Sequence, residues 1–265
     1  MKIISAQNPR IKQLVRLRER REREQTGLFL IEGYRELSRA IHAGYPLEAL
    51  FFCPSLFLGE NEKALLARSG TECVECSEDV FVKISYRDRP DGLLAVAPQR
   101  KQGLQELGKQ LAGVHKPLVL VAESIEKPGN LGTILRSCDA AGVNAVIVCD
   151  PTTDVFNPNV VRSSVGTLFT VPVFEAGSEE TIRFLKERRI YIAAATPQAT
   201  VEFTRADFTV PLAVAVGTEQ YGLSQQWMEC ADVKVKIPMF GVADSLNVAA
   251  ATTLVLYEAV RQRHP

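Results

Sequence analysis

Three stretches of the chain set residues able to do chemistry beside glycines and helix starts. The first, ESIEKPGNLGTILRSCDAAGV at 123–143, follows an apolar run and carries Asn130 and Arg136 six residues apart. Its PGN turn opens a helix whose free amides could hold a phosphate, and Arg136, about two turns in, could reach the same anion. The second, LAVAVGTEQYGLSQQW at 212–227, runs an apolar segment into Gly217, Glu219 and Gly222. There Gly217 would let a ligand approach the backbone, and Glu219 would put a carboxylate at a sheet edge. The third, VKVKIPMFGVADSLNVAAATTLVLYEAVRQR at 233–263, joins a strand to a final helix through Ser245, Leu246 and Asn247. Small residues from Ala249 to Thr253 then allow something to pack closely on that helix. Each block also has an ordinary structural reading: a capped helix with an exposed arginine, a tight turn with a solvated glutamate, a closely packed last helix.

Such residues need a scaffold to bring them together. From 117 onward, apolar segments at 118–123, 145–149, 169–173, 190–195, 212–216 and 233–237 alternate with helical stretches at 130–141, 158–166, 178–188, 224–230 and about 246–262. That alternation predicts an α/β domain, 117–265, with a parallel sheet covered on both faces. Asn130 is suited to cap its first helix and Gly142 to end it. Ligands of such sheets gather beyond the carboxyl ends of strands, which directs attention to the segments after 123, 195, 216 and 237. Residues 1–98 read as a smaller α/β domain, with a basic helix near 8–24, a helix near 33–43 and apolar runs at 28–31, 49–52 and 92–97. Between the two, residues 99–116, with Leu104, Leu107 and Leu111 at helical spacing, read as a linker with a short helix.

Composition bounds the partners. With 265 residues, 46% hydrophobic and 23% charged, the chain can bury a sizeable core, so its 6 cysteines need not be disulfide staples. The apolar runs are strand-sized, short of a membrane span, and the polar start MKIISAQNPRIKQ lacks the apolar stretch of a signal peptide; a cytoplasmic protein is expected. Its 31 basic and 31 acidic residues cancel, which by itself argues against nucleic acid. Residues 1–23, however, hold eight basic against two acidic residues, and 41–80 hold two against seven. The neutral total therefore conceals a basic arm, whose Arg10, Lys12, Arg16, Arg18, Arg20, Arg21 and Arg23 are candidates for RNA phosphates. A solvated helix face with intrahelical ion pairs is their ordinary alternative.

Taken together and in this order, the three blocks resemble the SpoU (TrmH-type) branch of the SPOUT RNA methyltransferases. Asn130 and Arg136 stand as that family's first-motif pair, Glu219 within GTEQYGL matches the second motif, and IPM at 237–239 with DSLNVA at 244–249 matches the third. NPRIK at 8–12, the basic run and GLFLIEG at 27–33 resemble the substrate-binding domain often attached to the family. Ala249 stands where many members have Ser. The resemblance implies an α/β fold with a deep trefoil knot, a homodimer formed through the C-terminal domain, S-adenosylmethionine as cofactor and 2′-O-methylation of an RNA ribose. It places the cofactor against Thr196, Gly217, Ile237, Met239 and Leu246. It assigns catalysis to Asn130, Arg136, Glu219, Ser245 and Asn247; Arg162, in NPNVVRSSVGTLF, is a further candidate RNA contact expected near the active site.

Ribosomal RNA is the favoured substrate, because the N-terminal domain resembles that of the ribosomal enzymes. Transfer RNA, or a non-catalytic RNA-binding or assembly role on the same fold, are the alternatives. No GxGxxG or GxxxxGK[ST] is present, which counts against a dinucleotide oxidoreductase and a P-loop NTPase. Cys73 and Cys76 form a CVEC without a second pair, and His42, His115 and His264 are scattered, so no metal is expected. Trp227 and Met228 are expected to pack the helix after the Glu219 loop or to sit at a dimer interface.

Overall fold

Apolar residues at 11, 14 and 17 put one greasy stripe on the first helix, and Asn8 and Pro9 start it. In the computed structural model, which describes residues 2–264, helix α1 spans Pro9–Arg16 and the Asn8 side chain accepts from the Arg10 amide at 2.9 Å. The helix expected over 8–24 is broken after α1 and resumes as α2, Arg20–Thr26. The reason is local: Arg23 Nη1 captures the carbonyls of Leu17 and Arg18 at 3.0 and 2.7 Å, and Glu19 turns extended between the two helices. Around these helices the chain adds β1 (Lys2–Ile3), β2 (Leu28–Glu32), α3 (Tyr34–His42), β3 (Ala49–Phe52), α4 (Glu62–Arg68), β4 (Glu72–Cys76), α5 (Glu78–Ile84) and β5 (Leu93–Pro98). The strands form one sheet in the order β1-β4-β3-β5-β2, antiparallel across β3-β5-β2 and parallel on the other side. Ile11, Leu14, Leu30, Phe51, Val74, Phe81 and Leu94 share its core. Strand β4 is the CVEC segment: Val74 and Cys76 point inward, and burial pushes the Cys76 thiol up to about 11.

This first unit comprises the chain up to Arg100 together with Asp154–Thr170; Lys101–Thr153 and the chain from Val171 on form the second. The second unit begins with α6 (Leu104–Gln110), which is less a linker than a core element, since Leu107 and Leu111 are buried with Val119, Ile147 and Phe174. It continues with β6 (Leu118–Glu123), α7 (Pro128–Ala140) and β7 (Ala145–Cys149). Helix α8 (Pro158–Ser163) then falls in the first unit, within a sequence expected to lie wholly in the second domain. The strand expected at 169–173 starts four residues later, at Val173. Thr167–Phe169 make a single 3₁₀ turn, and the Phe169 ring meets Phe29 and Tyr45 in the first unit at centroid distances of 6.3 and 5.0 Å. Pairing resumes with β8 (Val173–Ala176), followed by α9 (Ser178–Glu187), β9 (Tyr191–Ala195), β10 (Val201–Glu202), β11 (Leu212–Val216), α10 (Gln225–Cys230), β12 (Val233–Lys236) and α11 (Val248–Arg263).

The second sheet runs β10-β12-β9-β11-β6-β7-β8, and every recorded pairing in it is parallel. Every residue of β6, β7 and β11 is buried, as a sheet covered on both faces demands. Gly142, with φ +66, follows the last turn of α7 and stops it. Trp227 is fully buried and donates its indole N–H to Ser178 Oγ at 2.9 Å, so it serves the core. No helix among the described residues is long and apolar enough to cross a membrane.

Candidate functional site

The loops after β6, β9, β11 and β12 all lie at the carboxyl edge of the second sheet, and side chains tie three of them together. Glu219, after β11, reaches the loop before α7: its Oε2 accepts from the Glu126 amide at 3.0 Å, and its Oε1 accepts from the Lys127 amide at 3.1 Å and from Asn130 Nδ2 at 2.6 Å. With its amide nitrogen committed to the carboxylate, Asn130 turns its oxygen outward and accepts from Asn247 Nδ2 at 3.0 Å. Asn247 in turn caps α11, its Oδ1 taking the amides of Ala249 and Ala250 at 3.0 and 3.4 Å. Asn130 is therefore not the cap of α7, which starts at Pro128 without a side-chain cap; it is the middle link of a relay. The two amides Glu219 takes, those of Glu126 and Lys127, lie just ahead of the first turn of α7. Burial works to raise the pKa of Glu219, but the Glu126 amide, the Asn130 side chain and further backbone donors outweigh it and hold the carboxyl below its usual range.

Beside this relay opens a cavity of about 520 Å³. Thr196, Gly217, Ile237, Met239 and Leu246 all line it, as do Glu219, Ser245 and Asn247. Lys127, Gln198, Tyr221 and Asp244 line it as well and were not singled out from the sequence, although each sits on one of the strand-following loops where chemistry was sought. Thr196 is buried, anchored by its amide to the Val235 carbonyl at 2.9 Å and by its hydroxyl to Gln198. Gly217 is also held by the chain itself. A Cβ there would fall 2.2 Å from the backbone of Gly222, so the chain's own 218–222 turn folding back already demands glycine. Arg136 does not line the cavity; it lies on the exposed side of α7, and no described residue accepts a hydrogen bond from it.

In the first unit the basic arm separates into distinct roles. Arg23 is 1% exposed, its guanidinium paired with Asp154 at 2.6 Å and spent on two carbonyls, so it cannot meet RNA. Arg10 forms a two-pronged pair with Glu72 and lies over the Phe51 ring, Arg18 binds the carbonyls of Lys83 and Ser85, and Arg20 pairs with Glu24. The acidic 41–80 segment thus neutralises part of the arm directly, through Arg10–Glu72 and Lys2–Glu75. Lys12, Arg16 and Arg21 remain exposed without a partner among the described residues. Arg162 is an exposed residue of the first unit, on α8. Among the described residues no group of three or more His, Cys, Asp or Glu is arranged to hold a metal.

The spacing of these loops matches known proteins along nearly the whole chain. Residues 117–257 match the model of the SpoU rRNA Methylase family, and residues 8–95 match that of the MRM3-like substrate binding domain. A 23S rRNA (uridine(2479)-2′-O)-methyltransferase of Streptomyces viridochromogenes is 34% identical, over 98% of this chain and 92% of its own.

The chain belongs to the SpoU rRNA methylase family.

A 23S rRNA (guanosine-2′-O-)-methyltransferase of Shewanella oneidensis is 39% identical over 73% of this chain and 80% of its own. Among solved structures, the SpoU methyltransferase AviRb of Streptomyces viridochromogenes, in complex with the cofactor AdoMet, superposes with a TM-score of 0.88 at 32% identity, covering 97% of this chain and 98% of that one. Within the family frame, the relay from Glu219 through Asn130 to Asn247 links all three motifs by side-chain hydrogen bonds.

Proposed function

We propose that this protein transfers the methyl group of S-adenosylmethionine to a ribose 2′-hydroxyl of 23S ribosomal RNA. The observation that carries the reading is the relay Asn247–Asn130–Glu219 beside a cavity whose wall includes all five residues proposed for the cofactor. At about 520 Å³ the cavity falls within the usual range for small-molecule sites, and its loops offer backbone amides and carbonyls suited to an adenine edge. The cofactor, when bound, supplies an electrophilic methyl group for in-line displacement.

The chain's own residues then have separable tasks. A guanidinium stays protonated in proteins, so Arg136 serves as a donor: it grips the adjacent phosphate and stabilises the oxygen as the ribose hydroxyl loses its proton. Glu219 has three of its acceptor positions filled and is held acidic, which makes it an orienting group and leaves phosphate or water to take the proton. Asn130 keeps Glu219 and Asn247 in register, and Asn247 fixes the start of α11 next to Ser245 and Leu246. Holding the reactants in line accounts for a large share of the acceleration.

The same reading makes the path from β9 to α11 a deep trefoil knot, supported by the convergence of the 195–198, 217–222 and 237–247 loops on one cavity. It also makes the protein a homodimer through the second unit, supported by exposed apolar side chains there: Phe240 and Val242 after β12, and Leu254 and Tyr257 on α11. Lys12, Arg16 and Arg21 are the RNA contacts of the basic arm. A cytoplasmic location belongs to the same reading. The test is mass spectrometry of 23S rRNA incubated with protein and labelled S-adenosylmethionine. One new 2′-O-methylated nucleotide is expected; a base methylation, or no incorporation into rRNA, would overturn the assignment.

A further inference from the structure

The first unit holds a cavity of its own, also of about 520 Å³, lined partly by residues that follow the GLFLIEG segment and by Arg162. Its wall includes Tyr34, Glu36, Glu62, Arg87, Asp91 and Arg162. Arg87 is clamped beneath it, donating to Glu36 Oε1 at 2.9 Å and to the Glu32 carbonyl at 2.5 Å, with Asp91 3.7 Å away. At the end of β2, beside this pair, Gly33 takes φ +112, a conformation that residues with a side chain rarely adopt. Asp91 Oδ2 accepts from the Tyr34 amide at 2.8 Å, and Glu62 Oε1 accepts from the amides of Leu58 and Gly59 at 3.2 and 2.8 Å. Three buried atoms of these lining residues then lack any hydrogen-bond partner among the described residues: Glu62 Oε2, Asp91 Oδ1 and Arg87 Nε. Glu62 is 4% exposed, and a buried carboxylate oxygen left in that state is rare enough to require an explanation.

The unpaired atoms define a ligand by number and type: two acceptors and one donor. At the rim, Arg35 and Arg162 are exposed with no acceptor among the described residues, and Tyr34 is half-buried. We propose that this cavity takes one guanine nucleotide of the substrate RNA, drawn out of its stack and distinct from the nucleotide that is methylated. Guanine alone among the four bases offers two donors, N1–H and the N2 amino group, beside one acceptor, O6, on its pairing edge. Adenine and cytosine each offer one donor group there, and uracil one donor between two acceptors. The donors go to Glu62 and Asp91, O6 goes to Arg87, Tyr34 supplies a stacking face, and Arg35 and Arg162 take the flanking phosphates. Because Glu62 Oε2, Asp91 Oδ1 and Arg87 Nε are all buried in the free protein, binding requires side-chain shifts at these three residues that bring the atoms to the cavity surface while Glu62 Oε1 keeps the Leu58 and Gly59 amides. The assignment rests on RNA being the substrate, as proposed above.

The experiment titrates the RNA pentamers UUGUU, UUIUU and UUAUU, and separately GMP, into the full-length protein by calorimetry. Inosine differs from guanosine only by loss of the N2 amino group. The guanosine pentamer is expected to bind about tenfold more tightly than the other two, the worth of one hydrogen bond to a charged group. Glu62→Gln keeps an oxygen for the Leu58 and Gly59 amides but puts a donor at the second position, and it is expected to erase the preference. Equal binding of the three pentamers by the unaltered protein, or a preference that survives in Glu62→Gln, overturns the proposal. GMP binding as tightly as UUGUU would overturn the assignment to RNA in favour of a free nucleotide. Methyl transfer to 23S rRNA is measured alongside: its absence refutes the function proposed above, whereas methylation without base preference refutes this cavity's role alone.

Discussion

Glu219→Gln tests the relay where three donors converge. The wild-type carboxylate receives three donors, from the Glu126 and Lys127 amides and from Asn130. A glutamine oxygen can keep the Lys127 and Asn130 bonds, but its amide nitrogen must then face the Glu126 N–H, donor against donor. One charge-assisted bond is lost, worth about 1.5–3 kcal/mol, and partial solvent exposure of Glu219 puts the cost near the lower end. Roughly 1.5 kcal/mol corresponds to about a tenfold loss if it falls wholly on the Gly217–Gly222 wall of the cavity. Calorimetric titration with S-adenosylmethionine should show that loss, and thermal unfolding should shift down by about 3–6 °C. The pH dependence carries a sign. Because the folded-state pKa of Glu219 lies below its ordinary value of 4.5, its contribution is complete above that value and is lost as pH falls through the depressed one. The glutamine variant should lack this acid step. Cofactor affinity and unfolding temperature equal to wild type would refute the claim that the relay orders the cavity.

Other perturbations probe separate parts of the molecule. Arg136→Ala should lower single-turnover methylation at saturating RNA about 10²–10³-fold, with only the modest loss of RNA affinity that one phosphate contact implies, and an unchanged rate would remove the arginine from the chemistry. Gly217→Ala forces a Cβ to within 2.2 Å of Gly222 and should abolish S-adenosylmethionine binding; normal binding would show that the 218–222 turn can relax. Arg23→Met strands the Asp154 carboxylate, 10% exposed, and should cost about 3–5 kcal/mol in urea denaturation, so an unaltered midpoint would contradict the buried pair. Replacing Lys12, Arg16 and Arg21 together by Gln should lessen the slope of log affinity against log salt by about 2 for single-stranded RNA, and an unaltered slope would clear the arm of phosphate contacts.

What could be read in the residues themselves is the periodic and the local. Buried parallel strands are apolar throughout, so 118–123, 145–149 and 212–216 announced themselves, and the strand ends pointed to the loops that line the cavity. Joint spacing of Asn130, Arg136, Glu219 and Asn247 carried the family. Beyond that the chain's own order misled, because the deciding contacts join residues far apart in it. Nothing near Arg23 reveals that it is an internal strut, since its carboxylate partner comes 131 positions later. Glu72 and Glu75 looked like a distant counterweight to the basic arm, and the pairing of β1 with β4 brings Lys2 and Glu75 into an ion pair while Arg10 pairs with Glu72. Residues 154–170 carry no compositional mark of leaving the second unit; what holds them in the first is burial of Phe156 and Phe169 against Phe29. Asn130 looked like a cap because caps are local, and it became a relay because its side chain had a carboxylate 89 positions away to donate to. Periodicity is a property of one segment and survives in sequence; the fate of a charge depends on which desolvated partner the fold brings to it, and only the tertiary structure decides that.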